Sequence, residues 1–347
     1  MCVRYIGSKA RVVKAILDRV GEPDGGTFHD AFSGTGAVAQ AASEAGWKVH
    51  VNDHLTSAAM MSLARVTSSV QARFAGVGGY TQAIVELNAT EPLGGFIWRE
   101  YSPASASHGD VARMYFTEDN ARRIDGMRTK IGRWRRGGRI NDAETCVLVA
   151  DLLGAANRVA NTAGTYGCFL SRWQRQSLAD IEVIARDLPR TAPTATMTSG
   201  DVVDIQCEAE DTVYFDPPYT KRQYAAYYHI LETIALGDEP TVEGVGGIRP
   251  WKDKASVYCY KVRAAEALER LVDGCKARRV FLSYSTEGHV PLDVLASGLA
   301  NVGTVELHDL DQIGRYRPNR AASRAGSEVR EVLFEIEKAA EPRRLAA

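Results

Sequence analysis

The chain has 347 residues, 45% hydrophobic and 24% charged, which is the composition of a globular protein with a substantial core and not of a disordered chain. Its formal net charge of −1 leaves any nucleic-acid binding to local basic patches, and its six scattered cysteines, without a CxxC pair, argue against a metal site. No apolar run is long enough to span a bilayer and the N-terminus MCVRYIGSK lacks a signal-peptide core, so we expect a soluble cytoplasmic protein with no membrane partner.

The first predicted helix follows the N-terminal segment RYIGSK. Apolar residues at positions 12, 13, 16, 17 and 20 have the spacing of an amphipathic helix. Just before it, Lys9 fits two interpretations. It is either a solvated residue of the first turn or, together with Tyr5 and Gly7, a contact to the carboxylate of a ligand. The spacing alone does not choose between them.

Residues 27–46 predict a strand, a glycine turn and a helix. The strand TFHDAF leads into Ser33, Gly34 and Gly36, and the small-residue helix AVAQAASEAG follows. Two glycines so placed allow a tight turn and a close approach of the backbone to a ligand. Because the pattern is not GxGxxG, we do not predict a dinucleotide site. A plain strand-to-helix connection is the alternative.

The next predicted strand, residues 47–51, ends at Asn52 and Asp53. An acidic residue at the end of the second strand, about 20 residues after a glycine turn, is typical of a carboxylate that binds a ribose diol. The alternative is an N-cap for a helix beginning near Leu55. Together, the glycine turn and Asp53 favour a ligand site.

Residues 69–140 interrupt the alternation of strands and helices. Glycines and loop signals fill residues 76–103, and a helix is predicted from Asp110 to Lys130. Between positions 122 and 139 there are eight basic residues and one acidic residue, a density that suits a phosphate backbone. A solvated basic helix is the alternative. The candidate DNA contacts in this run are Arg128, Lys130, Arg133, Arg135 and Arg136.

A further helix is predicted for residues 141–163, followed by a polar loop with aromatic and basic residues. In this loop Tyr166 and Arg172 are candidate nucleic-acid contacts. A helix from Leu178 to Leu188, a short strand at residues 194–197 and a turn ending at Asp201 come next. The position of Asp201 before the following strand makes it a candidate at the edge of a ligand site.

The run VYFDPPY at residues 213–219 predicts a buried strand that stops abruptly, because two consecutive prolines cannot donate ladder hydrogen bonds. It presents Asp216, Pro217, Pro218 and Tyr219 at the carboxyl end of the strand, where open α/β sheets bind ligands. The Asp216 carboxylate and the Pro217 carbonyl are suited to accept both hydrogens of an exocyclic amine, while Tyr219 stacks on the base. A Pro-Pro turn with Asp216 as a cap is the alternative.

The remaining chain supplies one more unit of the sheet and an edge. Lys221, Arg222 and Tyr224 follow the DPPY motif and are candidate DNA contacts. The glycine-rich residues 237–254 predict a mobile loop, either a lid or a DNA-contacting loop. A helix at residues 262–275, a strand at 280–284, a helix near Leu292 and a closing β-hairpin from residues 304–307 and 329–336 complete the pattern.

With RYIGSK, DAFSGTG, ND and DPPY in this order, the chain resembles the Dam-like (alpha-group) adenine-N6 DNA methyltransferases, and it is most similar to their FokI-type restriction-modification branch. The resemblance implies an S-adenosyl-L-methionine cofactor and an adenine flipped out of double-stranded DNA. It assigns Asp216, Pro217, Pro218 and Tyr219 to catalysis. It assigns to the cofactor Tyr5, Lys9, Asp30, Phe32, Ser33, Gly34, Gly36, Asp53, Asp201 and Val202.

We therefore predict a doubly wound, mostly parallel α/β sheet, the class I methyltransferase fold, formed by residues 1–68 and 141–340. Residues 69–140 are predicted to be a helical insertion that helps recognise DNA. The predicted reaction is methylation of adenine N6, with a separately encoded restriction endonuclease as a partner. The alternatives are transfer to cytosine N4 or to RNA, and a non-catalytic DNA-binding subunit with a degenerate fold.

Overall fold

A computed structural model describes residues 5–7, 9–312 and 329–339. Within these residues no helix combines the length and the apolar character needed to cross a membrane. The strands are β1 (Thr27–Asp30), β2 (Lys48–Asp53), β3 (Ala195–Ser199), β4 (Thr212–Phe215), β5 (Arg279–Ser285), β6 (Gly303–Gln312) and β7 (Arg330–Lys338). The helices are α1 (Val13–Val20), α2 (Ala37–Glu44), α3 (Thr56–Val66), α4 (Tyr80–Asn88), α5 (Phe96–Tyr101), α6 (Glu118–Arg136), α7 (Asp142–Val159), α8 (Tyr224–Tyr227), α9 (His229–Leu236), α10 (Ala264–Gly274) and α11 (Leu292–Leu299).

The seven strands form one sheet in the order β3-β2-β1-β4-β5-β7-β6. β3, β2, β1, β4 and β5 are parallel to one another, and β7 pairs antiparallel with both β5 and β6. The predicted mostly parallel sheet with a reversed edge is therefore confirmed. From β1 the chain extends the sheet in one direction through β2 and β3, and from β4 in the other. β1 and β4 thus flank the point where the strand order reverses.

Both faces of the central strands are buried, as expected for parallel strands covered by helices. In β4, Val213 and Phe215 pack with α10 on one face, while Tyr214 lies on the opposite face in the apolar cluster that contains α1 and α2. Alternate side chains of a strand point to opposite faces, so an apolar run serves both layers. This burial holds the carboxyl end of β4 in place.

The helices of residues 69–140 share one apolar cluster with α3, α7 and α9. The helix predicted for residues 110–130 begins later, at Glu118, because the Thr117 side chain caps it by accepting a hydrogen bond from the Asn120 N–H. The capping box of α7, formed by Asn141 and Glu144, fits the prediction for that helix closely. These helices thus pack onto the helical layer beside the sheet.

The helix predicted from Leu178 to Leu188 is wrong. A single 3₁₀ turn spans Arg175–Leu178, and the chain that follows forms no helix or strand before β3. Two asparagines of other helices bond to its backbone: the Asn120 Oδ1 accepts from the Ile181 N–H at 2.8 Å, and the Asn88 Oδ1 accepts from the Val183 N–H at 2.9 Å. These side-chain amides supply the hydrogen bonds that a helix would otherwise have formed internally.

The segment predicted to be a mobile loop, residues 237–254, makes several contacts. Glu243 and Ile248 bridge each other, and the Arg249 guanidinium lies 2.7 Å from the Asp238 carboxylate. Near its end, the Lys254 ammonium donates to the Glu232 carboxylate on α9 at 3.0 Å. Its predicted mobility stays a prediction.

Candidate active site

A cleft opens at the carboxyl ends of β1, β2 and β4, beside the point where the strand order reverses. Ligands bind at this place in open α/β sheets. Every residue predicted to act in catalysis or cofactor binding lines the cleft except Gly36, whose neighbours on both sides line it. We call it the cofactor cleft below.

The turn after β1 has the geometry that its glycines predicted. Gly34 (φ 52°) and Gly36 (φ 77°) both adopt the left-handed backbone conformation, which side chains disfavour. A Cβ on Gly36 would lie 2.6 Å from the Ser62 Oγ and 2.7 Å from its Cα, so α2 and α3 meet here at glycine distance. The Asp30 carboxylate accepts a hydrogen bond from the Ala39 N–H at 3.0 Å, which ties the turn to the start of α2.

Asp53, at the end of β2, accepts hydrogen bonds from two backbone amides. Its Oδ1 accepts from the Leu55 N–H at 2.9 Å, just before α3, and its Oδ2 accepts from the Gly34 N–H at 2.9 Å. The carboxylate thereby holds the glycine turn against β2 at the wall of the cofactor cleft. Each oxygen retains a second lone pair for a ligand hydroxyl.

At the end of β4, the catalytic motif lies beside the N-terminal segment. Asp216 Oδ1 accepts from the Lys9 ammonium at 2.9 Å, and the Tyr219 hydroxyl donates to the Glu331 carboxylate at 3.1 Å. Lys9 also lies 3.3 Å from Glu331, and only 5% of its side chain is exposed. Of the two interpretations of Lys9, a solvated surface residue is therefore excluded.

Tyr5 packs as an aromatic wall of the same cleft. Its ring stacks on the Tyr228 ring at a centroid distance of 4.2 Å, and a Cβ on Gly34 would lie 3.4 Å from it. The Tyr228 hydroxyl accepts from the Ile6 N–H at 2.7 Å. These contacts bind the N-terminal segment to α8 and α9 and place Tyr5 opposite the glycine turn.

Burial perturbs the acidic residues of the cleft. It raises the pKa of Asp216 to about 6, although Lys9 opposes the rise. It raises the pKa of Asp53 to about 6, against the hydrogen bonds from Leu55 and Gly34. Burial also raises the pKa of Asp30 to about 8. Several perturbed carboxyl groups in one cleft are typical of a functional site.

Phe32, Asp201 and Val202 form the other end of the cleft. Asp201 follows β3 and its side chain accepts from the Val203 N–H at 3.3 Å, while Val202 is buried. The Phe32 ring meets the Tyr258 ring edge to face at 5.7 Å. Together they make an apolar slot with an acidic residue at its rim.

Several residues of the cleft were not predicted from the sequence. Gln223, Lys254 and Tyr258 line the cleft, and Glu331 contacts the lining residue Lys9. Glu331 lies on β7, in a stretch that reads as an ordinary strand, and nothing in its neighbourhood indicates a ligand site. Gln223 lies four residues after Tyr219, and Lys254 ends the glycine-rich residues 237–254. The only signal for either residue was a polar side chain in a loop next to the predicted site.

The predicted nucleic-acid contacts divide into exposed and buried residues. Exposed side chains belong to Arg133, Arg135, Arg136, Arg172, Lys221 and Arg222. Lys221 and Arg222 lie between Tyr219 and Gln223, two residues that line the cleft. Lys130 is engaged with α4, since its ammonium lies 3.0 Å from the Glu86 carbonyl oxygen and 3.2 Å from the Glu86 carboxylate.

Two of the predicted contacts need correction. Tyr166 is fully buried and its hydroxyl donates to Asn157, so its ring supports the loop and does not face DNA. Arg128 has 7% of its side chain exposed and donates to the Asp238 carbonyl oxygen at 2.8 Å. It lies on the inward face of α6, four residues after the buried Ile124.

Tyr224, also predicted as a DNA contact, lines the cleft itself and donates to the Ile6 carbonyl oxygen at 3.2 Å.

Comparison with known proteins gives one consistent family. The model of the D12 class N6 adenine-specific DNA methyltransferases matches residues 5–291. The chain is 30% identical to the type II methyltransferase M.FokI of Planomicrobium okeanokoites over 352 residues, which covers 97% of the chain and 53% of the relative. It is 28% identical to the modification methylase StsI of Streptococcus sanguinis, with coverage of 97% and 52%.

A shorter relative matches over most of its own length. This is the type II methyltransferase M.NlaIII of Neisseria lactamica, which is 29% identical over 292 residues, with 82% of this chain and 84% of the relative covered. The chain spans about half the length of M.FokI and of StsI. These matches confirm the resemblance drawn from the sequence motifs. The chain belongs to the family of D12 class N6 adenine-specific DNA methyltransferases.

Proposed function

We propose that this protein is a site-specific DNA methyltransferase that transfers a methyl group from S-adenosyl-L-methionine to N6 of an adenine flipped out of double-stranded DNA. One observation carries the proposal. In a chain of this family, Asp216 and Tyr219 at the end of β4 share one cleft with the glycine turn after β1 and with Asp53 after β2. A base and a cofactor bound there would meet at the switch point of the sheet.

The residues of the cofactor cleft fit S-adenosyl-L-methionine, which when bound supplies the methyl group from its sulfonium. Asp53 is suited to accept the ribose hydroxyls, and the Gly34 and Gly36 turn brings backbone close to the ligand. Lys9 and Tyr5 lie where the methionine end would contact a cation and a ring. The adenine ring of the cofactor is expected at the other end of the cleft, which is lined by Phe32, Ser33, Asp201 and Val202. Asp30 holds the glycine turn through its hydrogen bond with the Ala39 N–H.

Asp216 and the Pro217 carbonyl would hold the target amine by its two hydrogens. An exocyclic amine is a weak nucleophile because its lone pair is delocalised into the ring. A carboxylate beside it stabilises the positive charge that develops on nitrogen during transfer. Since the pKa of Asp216 is about 6, this carboxylate is ionised at neutral pH. Tyr219 and the adjoining Pro218 would pack against the face of the target base.

No general base is needed beyond Asp216 and solvent, and the nearest histidine on the following helix has another role. His229 is fully buried, and its Nε2 lies 2.9 Å from the Tyr166 carbonyl oxygen, to which it donates. Burial lowers the pKa of His229 to about 4. It therefore supports the loop after α7.

DNA would approach over the mouth of the cofactor cleft. Lys221 and Arg222 are exposed just after the catalytic motif, and Arg172 is exposed on the loop after α7. A backbone hydrogen bond of 2.8 Å from the Tyr166 N–H to the Tyr227 carbonyl oxygen joins that loop to α8. Arg133, Arg135 and Arg136 form a second basic group at the end of α6. We propose that both groups contact phosphates, with residues 69–140 contributing to recognition of the target.

The names of the relatives supply the biological setting of the proposal. M.FokI is called a type II methyltransferase and StsI a modification methylase. We propose that this chain likewise modifies DNA within a restriction-modification system in the bacterial cytoplasm, with a separately encoded endonuclease as its partner.

The test is to incubate the protein with unmethylated genomic DNA and S-adenosyl-L-methionine, digest the DNA to nucleosides and search for methylated bases by mass spectrometry. We expect N6-methyladenine, absent with Asp216→Ala although that variant still binds the cofactor within a modest factor. Asp293→Ala, an exposed residue in the first turn of α11, is the matched control. N4-methylcytosine as the product would show that the target is cytosine N4 and not adenine N6. Methyl transfer by Asp216→Ala at the wild-type rate would refute the mechanism.

A further inference from the structure

Glu331 is a buried acidic residue that no sequence motif identified. It lies near the start of β7, opposite Ser285 of β5, and is 8% exposed. Its Oε1 accepts from the Tyr219 hydroxyl at 3.1 Å, and its Oε2 lies 3.3 Å from the Lys9 ammonium. The antiparallel edge strand thus contributes a side chain that contacts both the catalytic tyrosine and the lysine of the N-terminal segment.

Lys9 is shared between two carboxylates. It lies 2.9 Å from Asp216 Oδ1 and 3.3 Å from Glu331 Oε2, and all three side chains are at most 15% exposed. One ammonium and two carboxylates leave one net negative charge in the group. If Glu331 were neutral, the Lys9 charge would instead offset the charge of Asp216 alone.

The orientation of Asp216 makes this balance useful. Oδ1 is the oxygen of Asp216 that lies nearest to the Lys9 ammonium, and no described residue donates a hydrogen bond to Oδ2. The Tyr219 ring, whose hydroxyl is fixed by Glu331, packs edge to face on Tyr284 at 5.6 Å. The substrate amine and the face of the base would thus meet an oxygen and a ring that are already positioned.

We propose that Glu331 is a positioning residue for methyl transfer: it holds the Lys9 ammonium and the Tyr219 hydroxyl, so that Asp216 keeps Oδ2 and an uncompensated negative charge for the target amine. This inference rests on the proposed function. Glu331 acts through Lys9 and Tyr219 and does not itself touch the reacting atoms.

The charges around Asp216 determine the direction in which its pKa should change when Glu331 is replaced. Burial raises the pKa of Asp216, Lys9 lowers it, and the charge of Glu331 raises it. Replacing Glu331 with glutamine should therefore lower the pKa of Asp216 and weaken the field at the amine. The other titratable groups that interact with Asp216 are Asp30, Tyr214, Tyr219 and Tyr224.

The experiment compares wild type, Glu331→Gln and the control Glu335→Gln in single-turnover methylation at saturating cofactor and DNA, from pH 5 to pH 8.5. Glu335 lies on the same face of β7 and pairs with Arg279, away from the cleft. We expect the plateau rate of Glu331→Gln to fall about 10-fold, the effect of a change of one pKa unit in the field at the amine. Its acid limb should move to lower pH, and Glu335→Gln should match wild type.

Two results would overturn the proposal. One is a Glu331→Gln profile identical to that of the control, and the other is a slower variant whose acid limb does not move, which is what a purely structural role produces. The titration midpoint of the Asp216 carboxyl, followed by carbon-13 NMR, should fall in the same variant. An unchanged midpoint refutes the inference even for a wild-type protein that methylates no DNA, whereas absent methylation with a lowered midpoint refutes only the proposed function.

Discussion

Asp53 Oδ2 accepts a hydrogen bond from the Gly34 N–H at 2.9 Å, which fastens the turn after β1 to the end of β2. The carboxylate does this while its other oxygen accepts from the Leu55 N–H. One oxygen of Asp53 thus holds the glycine turn and the other holds the backbone that leads into α3, and each retains a lone pair for a ligand hydroxyl.

We predict that cofactor affinity depends on the ionisation of Asp53. Burial raises its pKa to about 6, and only the ionised form can accept hydrogens from both ribose hydroxyls with its two oxygens. Affinity should therefore rise between pH 5 and pH 7. Asp53→Asn should bind about 10- to 100-fold more weakly at pH 7.5, since hydrogen bonds to a charged group contribute about 1.5–3 kcal/mol.

Calorimetric titration with S-adenosyl-L-methionine measures this affinity. Asp293→Asn, exposed on α11, serves as the control and should retain the wild-type affinity and pH dependence. A variant Asp53→Asn that keeps the pH dependence of the wild type would show that another group titrates.

Replacement of Gly36 by alanine should disrupt the same turn. Its φ of 77° disfavours a side chain, and the new Cβ would lie 2.7 Å from the Ser62 Cα on α3, which is backbone and cannot rotate away. We expect a loss of about 1–3 kcal/mol in the free energy of unfolding and weaker cofactor binding.

Urea unfolding and cofactor titration test this expectation together. Gly274→Ala, at the end of α10, is the control because no atom lies within 4 Å of its added Cβ and its φ is outside the left-handed region. Equal stability of the two variants would contradict the close contact between α2 and α3.

The sequence predicted the sheet and the cleft well because both depend on short patterns. A strand, a glycine turn and a helix at residues 27–46, and an apolar strand ended by two prolines, each specify a local geometry that long-range packing did not change. The parallel order of the strands then brought the ends of β1, β2 and β4 together. This explains why Asp53 and Asp216 were found without a structure.

The errors arose where distant side chains decide the conformation. The backbone N–H groups of Ile181 and Val183 donate to Asn120 and Asn88, which no local pattern near residue 180 reveals. Tyr166 in a polar loop looks the same in sequence whether it faces DNA or the core. The wrong prediction of Arg128 as a DNA contact was avoidable, since its spacing from Ile124 and Ile131 places it on the buried face of α6.

Asp30 should make the protein less stable as the pH rises. Burial raises its folded pKa to about 8, above the value of 3.8 expected in the unfolded chain, so the folded state favours the protonated carboxyl. Its contribution to stability is fully present below the unfolded pKa and is lost as the pH rises towards the folded pKa. Asp30→Asn removes this loss.

We therefore expect Asp30→Asn to be more stable than wild type at pH 8 by at least about 1 kcal/mol more than at pH 5. Asparagine retains an oxygen for the Ala39 N–H, so the turn should persist. Urea unfolding at both pH values gives the difference. A gain that is equal at pH 5 and pH 8 would mean that Asp30 does not titrate in this range.

The two basic groups should differ in what they contribute to DNA binding. Lys221 and Arg222 are exposed between the cleft-lining residues Tyr219 and Gln223, while Arg133, Arg135 and Arg136 lie in the last turn of α6. Each lost phosphate contact reduces the slope of log affinity against log salt by about 0.9. The double variant Lys221→Gln, Arg222→Gln should thus lower the slope by about 2, and the triple variant on α6 by up to about 3.

Fluorescence anisotropy with duplex DNA between 50 and 200 mM salt, values at which phosphate contacts dominate affinity, measures each slope. The control for the double variant is Lys14→Gln with Arg270→Gln, which removes two exposed cations on α1 and α10 that pair with Asp18 and Glu266. Its slope should equal that of wild type, because a change in net charge alone forms no phosphate contact. A slope unchanged in the triple variant would remove α6 from the DNA interface, and one unchanged in the double variant would move the duplex away from the mouth of the cofactor cleft.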